Sequence, residues 1–133
     1  MLKLDIFPHI FPLAYFERMK RIAEGNPALA AQLKRWMHIP VLWDLDKRIR
    51  MMQRFPGYKQ ILTLSMPAIE FLGGPDETPA LARLANDGMA QIVHQHPDLF
   101  PAFLGKRDIA GPRKTIFGGQ DCGAMPDQED ASA

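Results

Sequence analysis

Alternation of apolar and polar residues divides the amino-terminal part of the chain into strands and helices. Residues 2–6 alternate with the period of two that is typical of a half-buried strand. This strand ends at Pro8, because proline has no amide proton to give to a sheet. Residues 59–66 form a nearly continuous apolar run, which predicts a parallel strand buried on both faces. A short apolar segment at residues 99–104 completes three predicted strands.

Three helices are predicted between the first two strands. Apolar side chains recur at helical spacing in residues 15–24. Asn26 is predicted to cap a second helix, which has Pro27 at its first position, and Asp44 is predicted to cap a third. The basic side chains of the third helix are expected to point mostly into solvent; they are Lys47, Arg48, Arg50 and Arg54.

A fourth helix, long and amphipathic, is predicted between the second and third strands. Thr78 is its expected N-cap, Pro79 lies in its first turn, and Pro97 ends it. The resulting order is strand, helices, strand, helix, strand. Alternation of this kind predicts an α/β fold built from βα units around a parallel sheet.

The composition changes at Gly105. Half of the ten glycines lie in the last 29 residues, and an acidic run occupies residues 127–130. Few apolar residues there could offset the entropy of ordering the chain. We therefore expect a structured unit over residues 1–104 and an irregular tail over residues 105–133.

Size and charge limit the range of partners. A chain of 133 residues is typical of one domain. Sixteen basic and fifteen acidic residues give a formal net charge of +1, so neither nucleic acid nor a membrane surface is an expected partner. The single cysteine, Cys122, cannot form an internal disulfide, and no apolar run approaches the roughly 20 residues of a membrane span. A cytoplasmic protein is expected.

Five segments together resemble one protein family. In chain order they are LDIFPHIFP, DLDKRIRMM, QILTLSMP, LARLANDGMAQIVHQHPDLF and PAFLG. Over about residues 1–104 the chain is similar to the amino-terminal part of amidohydrolase-related proteins of the aminocarboxymuconate-semialdehyde decarboxylase type. The resemblance implies a TIM-type (β/α)8 barrel, of which this chain supplies about three βα units, with a helical region inserted between the first and second strands. Such barrels take about 250 residues, so a truncation or a shifted reading frame near Gly105 is expected.

The resemblance also implies a metal site. In most of the family the first strand ends in Asp-x-His-x-His, and the two imidazoles hold one divalent metal, usually zinc. Residues 5–9 match this pattern with Asp5 and His9, but Phe7 replaces the first histidine and has no lone pair to donate. His9 is the one matched metal ligand, and the family's other ligands come from later strands. We therefore expect no stoichiometric metal in this chain alone.

The residues by themselves leave simpler interpretations open. His9 also fits a strand-end histidine bonded to backbone or water, and Asp5 fits a carboxylate bonded to nearby amides. His94 and His96 are expected at a helix end, because residues two apart on a helix point to different sides. Arg48 and Arg50 have the charge to meet a substrate carboxylate, although a solvated helix face is the favoured interpretation.

Three interpretations of function follow, from different classes. By resemblance, the intact protein is a metal-dependent hydrolase or decarboxylase of a small carboxylic acid, and this chain alone is expected to be inactive. The alternative is a non-catalytic remnant that folds partially, or only by pairing with itself or another chain, because three parallel strands leave open edges. A freestanding helical binding module is a third interpretation, which leaves the strand at residues 61–66 unexplained. The fragment is expected to be poorly stable as a monomer and to show self-association, for example as a homo-oligomer, or low solubility.

Overall fold

A computed structural model describes residues 1–106 and the backbone of residues 117–119. The strands are β1 (Lys3–Asp5), β2 (His9–Ile10), β3 (Tyr58–Leu64), β4 (Ala102–Leu104) and β5 (Phe117–Gly119). The helices are α1 (Leu13–Ala23), α2 (Pro27–Met37), α3 (Leu45–Met52) and α4 (Thr78–Gln95), with short 3-10 helices at Pro40–Leu42 and Ile69–Phe71. The predicted order of strands and helices is confirmed, and the described part of the chain is an α/β structure.

Strand β3 lies at the centre of the sheet. β1 and β2 pair along one side of it and β4 pairs along the other, all parallel to β3. β5 pairs antiparallel with β4, so the region expected to be irregular contains one short strand. The rest of the expected tail, residues 107–116 and 120–133, lies outside the described residues. The three predicted parallel strands are thus present and adjacent.

The two faces of the sheet differ in burial. The buried side chains of β3 and β4 are Gln60, Leu62, Leu64 and Phe103. Between them on β3, Ile61 and Thr63 point to the opposite face and are half-buried. The prediction that residues 59–66 are buried on both faces is therefore wrong. An apolar run does not reveal whether the second face has a partner within the same chain.

Side-chain caps account for two of the helix starts. Asn26 Oδ1 accepts a hydrogen bond from the amide three residues later at 3.1 Å, and Asp44 Oδ1 does the same at 3.0 Å. Both predicted caps are confirmed. At α4 the cap position belongs to Glu77, without a side-chain hydrogen bond, and Thr78 is already helical. The predicted cap was therefore one residue too late, because Pro79 occupies the second helical position rather than the first.

The helices bury a shared core against the sheet. The ring of Phe11 lies 5.4 Å from that of Phe16 and 5.1 Å from that of Trp36, measured between centroids. α1 and α4 approach closely at Gly88, where an added Cβ would lie 2.4 Å from the Cβ of Pro12. None of the described helices has the length and apolar character needed to cross a membrane.

Candidate functional site

His9 begins β2, near the carboxyl end of the first strand. Its Nδ1 atom lies 3.0 Å from Thr63 Oγ1, and the Thr63 hydroxyl donates to the carbonyl of Pro8 at 2.7 Å. Because that hydroxyl proton is already used, Oγ1 must accept from Nδ1–H of the imidazole. Neutral His9 therefore carries its lone pair on Nε2. Within residues 1–106, Nε2 has no hydrogen-bond partner.

Phe7 lies beside His9. The two ring centroids are 5.5 Å apart, the rings meet edge to face, and Phe7 is 76% exposed. Two imidazoles on one tetrahedral zinc have centroids roughly 5 Å apart, because each Zn–N bond is about 2.0–2.1 Å. The Phe7 ring thus lies at about the distance from His9 that a second histidine ligand would have. A phenyl ring cannot bind metal.

Asp5 lies on the other face of the sheet from His9. Asp5 is in register with Gln60, whereas His9 is in register with Thr63. Three residues, 6–8, therefore oppose two residues of β3, which is the geometry of a β-bulge. Gln60 and Thr63 point to opposite faces of β3, so Asp5 and His9 do as well. Asp5 is therefore not placed to share a metal with His9.

The Asp5 carboxylate is used within the fold. Its Oδ2 accepts from the hydroxyl of Tyr58 at 2.7 Å, and its Oδ1 accepts from the amide of Phe7 at 2.9 Å. Gln60 Nε2 donates to the same Tyr58 oxygen at 2.9 Å. These bonds tie the end of β1 to β3 and hold the bulge that precedes His9.

Arg48 is buried, although its charge predicted a position in solvent. It is 3% exposed, and the expectation that it points into solvent is wrong. Nη1 donates to Gln60 Oε1 at 2.7 Å, Nε donates to the carbonyl of Val41 at 2.8 Å, and Nη2 donates to the carbonyl of His9. Each guanidinium nitrogen is thus bound to the protein, so the group is not presented to a substrate carboxylate. Arg48 instead fixes the backbone of His9 from the helical side.

Burial lowers the pKa of Arg48, the charged residue at the centre of these hydrogen bonds. Desolvation lowers the pKa of Arg48 to about 10, and the nearby Tyr58 and Asp5 oppose that shift. The guanidinium is charged at neutral pH, and its described hydrogen bonds go to two carbonyls and one amide oxygen. Hydrogen bonds from a charged donor are individually strong, which compensates for the loss of water.

The hydroxyl groups of both tyrosines of the chain have pKa values above the ordinary value for tyrosine. Burial raises the pKa of Tyr15, with a further contribution from Glu70, and burial also raises that of Tyr58. At these two groups the unfolded chain loses protons first, so the contribution of the tyrosines to stability should fall as pH rises above about 10. Ultraviolet difference spectroscopy of native and urea-unfolded protein checks this. A tyrosinate step at pH 10 in the native protein would contradict it.

The remaining histidines and acids do not add to the site. His94 is exposed near the end of α4, and His96 follows that helix with its ring 6.5 Å from that of Phe100, as expected of helix-end residues. Across residues 1–106, no group of three or more His, Cys, Asp or Glu side chains is placed to hold a metal. Catalytic zinc takes about three protein ligands. The described residues, with one imidazole at His9, do not by themselves fit a zinc site.

A groove of about 550 Å³ lies between the starts of α1 and α3 and the last turns of α4. Its lining is mostly apolar and includes Ile10 and Trp43, with Asp46 and Gln91 among its polar residues. His9 and Arg48 do not line it. The groove is of a size that holds small ligands, but it is separate from the strand-end residues. No sequence pattern pointed to it, because its walls come from three distant segments.

Comparison with known proteins does not name a family. No family model matches the sequence, and no curated protein matches it. The resemblance to amidohydrolases rests on the five quoted segments.

Proposed function

We propose that this chain forms the first three βα units of an amidohydrolase-related (β/α)8 barrel. The intact barrel would hydrolyse or decarboxylate a small carboxylic acid with the help of a divalent metal, most often zinc in this family. The observation that carries the proposal is the position of His9. It lies just past the carboxyl end of β1, in the short strand β2 that pairs with the same strand β3, on the face opposite the buried Gln60, Leu62 and Leu64. Catalytic groups of TIM-type barrels come from strand ends of this kind.

The hydrogen bonding of His9 supports a ligand role in the complete barrel. Metal-binding histidines usually give their second ring N–H to another protein group, which fixes the ring and its tautomer. Thr63 Oγ1 accepts that proton here, and Nε2 keeps its lone pair. Arg48 and the Asp5 carboxylate hold the backbone on either side of the bulge. These contacts position the imidazole before any ligand binds.

The remaining groups would come from later strands. By resemblance, a histidine ligand belongs to the fifth strand, a catalytic histidine to the sixth and an aspartate to the eighth. The DNA that follows the codon of Leu104, translated in all three frames, tests the proposal. We expect one frame to encode further strands and helices with these residues. Absence of any barrel remainder in all three frames would overturn the proposal.

The chain alone should bind zinc weakly and without fixed stoichiometry. One imidazole cannot enforce coordination geometry, and catalytic zinc takes about three protein ligands. Calorimetric titration with zinc and manganese should give no one-to-one site, and decarboxylase and hydrolase assays should give no turnover. His9→Ala should change neither result, and the exposed His94→Ala serves as the matched control. Tight zinc binding that His9→Ala alone abolishes would show that another chain or group completes a site.

A second candidate is a non-catalytic chain that associates with itself. Two observations favour it. Phe7 removes the first imidazole of the family pattern, and one face of the sheet has no layer over it within residues 1–106. A protein that has lost its metal site would still need to cover that face.

A further inference from the structure

The groove of about 550 Å³ separates the first turn of α3 from the last turns of α4. Its floor is apolar, because Ile10, Phe11 and Ile92 are buried side chains that line it. Sites for small molecules usually have volumes of roughly 300–1,000 Å³ and mostly apolar walls with a few polar groups. His9 and Arg48 are not part of the lining, so the groove is distinct from the candidate metal ligand and from the network behind it.

Trp43 gives the groove a fixed aromatic wall. Its indole Nε1 donates to the carbonyl of Trp36 at 3.1 Å, and its ring stacks on that of Phe16 with 6.0 Å between centroids and 6° between planes. Both contacts hold the indole in place before any ligand binds. Tryptophan is the side chain that attracts a cation most strongly, when the cation lies within about 6 Å of the ring centroid.

The charged part of the lining is acidic. Asp44 and Asp46 are its charged residues, and no lysine or arginine is among the described residues that line it. Asp44 is already engaged, because it caps α3 through the Lys47 amide and lies 3.7 Å from the Lys47 ammonium. Asp46 is exposed, and its carboxylate has no ion pair within the part of the chain that the structure describes. Asp46 is therefore available to a ligand.

The helix ends at the groove do not reverse this charge. α1 begins at Leu13 without a side-chain cap, so its first amides carry a partial positive charge. The last turn of α4, which lines the groove with Gln91 and Gln95, carries a partial negative charge. Each is worth about half a unit, and the two oppose one another. The carboxylate of Asp46 therefore sets the sign, and the groove favours a cation.

We propose that this groove binds a small organic cation, an ammonium group carried on an aromatic or aliphatic hydrocarbon body. The hydrocarbon body would lie on the apolar floor against Trp43, and the ammonium would lie at the rim beside Asp46. Gln91 and Gln95 are exposed, and their side-chain oxygens are further acceptors in the lining. The inference goes beyond the proposed function, because it needs neither a metal nor any later strand of a barrel.

Three probes of similar shape test the preference for a cation. 2-Phenylethylamine carries an ammonium, 2-phenylethanol is its neutral analogue, and 3-phenylpropionate carries a carboxylate. Each is titrated into the full ¹⁵N-labelled chain while the amide resonances are followed by NMR. We expect the amine to shift the resonances of groove residues with a dissociation constant of about millimolar order, because so small a ligand gains little binding energy. The alcohol should bind about fivefold more weakly, and the carboxylate more weakly still.

Asp46→Asn should weaken binding of the amine about threefold to fivefold and leave binding of the alcohol unchanged. Asp76→Asn is the matched control. Asp76 is exposed and precedes α4, at the opposite end of that helix from the groove, so this variant should bind all three probes like the parent. Raising the salt concentration to about 1 M should reduce the preference for the amine, because salt screens exposed charges.

Equal affinity for the three probes would mean an apolar groove without a preference for charge, and would overturn the proposal. A preference for the carboxylate, the absence of binding, or equal losses in the two aspartate variants would also overturn it. Groove resonances that shift when the protein alone is diluted would assign the groove to a second copy of the chain, with the same consequence. If Asp46→Asn does not fold, the comparison of the three probes on the parent protein still decides.

Discussion

Arg48→Ala should lower the free energy of unfolding by about 3–5 kcal/mol, because hydrogen bonds from a charged group are each worth about 1.5–3 kcal/mol. The substitution removes the donors to Gln60 Oε1 and to the carbonyls of Val41 and His9. Gln60 is itself 3% exposed, so its side-chain oxygen loses a partner without gaining water. A cavity the size of a guanidinium side chain adds to the cost.

Urea unfolding at one fixed protein concentration measures this effect, because self-association would make stability depend on concentration. Arg50→Ala is the matched control. Arg50 lies on the same helix and is exposed, so its loss should change stability by about 0.5 kcal/mol or less. Arg48→Lys keeps the charge but cannot reach three acceptors in different directions, and it should fall between the two. Equal stability of the Arg48→Ala and Arg50→Ala proteins would contradict the role assigned to the network.

The order of elements could be predicted because its signals are local. The caps at Asn26 and Asp44 act over three residues, and a period of two or of 3.6 is visible within one segment. The parallel arrangement follows from helices that separate successive strands. These features need no knowledge of which residues meet across the fold.

The helical spacing of α3 predicted a buried position for Arg48, whereas its charge predicted an exposed one. Positions 45, 48 and 52 recur at helical spacing; Met52 is a core residue, and the partly buried Leu45 packs against the core. The same period therefore placed Arg48 toward the core. Treating it as a surface residue gave charge priority over position, although an arginine with satisfied donors can be buried. Its acceptors, His9 and Gln60, are 39 and 12 residues away and could not be found from sequence spacing.

The faces on which Asp5 and His9 lie depend on how β1 and β2 pair with β3, and the periodicity of the sequence does not reveal this pairing. A strict period of two would place Asp5 and His9 on one face, but the bulge at residues 6–8 separates them. The bulge is defined only against β3, more than 50 residues later. The partner of the His9 ring, Thr63, is likewise 54 residues distant. The family pattern identified His9 as the candidate ligand. The tautomer of His9 could be assigned only from its contacts in the fold.

Phe7→His should create a zinc site at the end of the first strand. The new imidazole would start from a ring position 5.5 Å from the ring of His9, which suits two ligands of one tetrahedral metal. A second ligand held beside the first binds intramolecularly, and such linkage raises affinity by about 10²–10⁴. We expect zinc to bind at least a hundredfold more tightly than to the parent chain, with water completing the coordination.

Phe55→His separates this effect from the mere addition of a histidine. Phe55 is 50% exposed and packs on Tyr58 at the opposite end of β3 from His9, so its replacement should leave zinc affinity unchanged. His9→Ala in the Phe7→His protein should abolish the gain, because a single imidazole is left to bind the metal. Equal zinc affinity of the Phe7→His and Phe55→His proteins would mean that residues 7 and 9 do not converge on one metal. The strand end would then lack the geometry on which the amidohydrolase proposal depends, whatever the DNA downstream encodes.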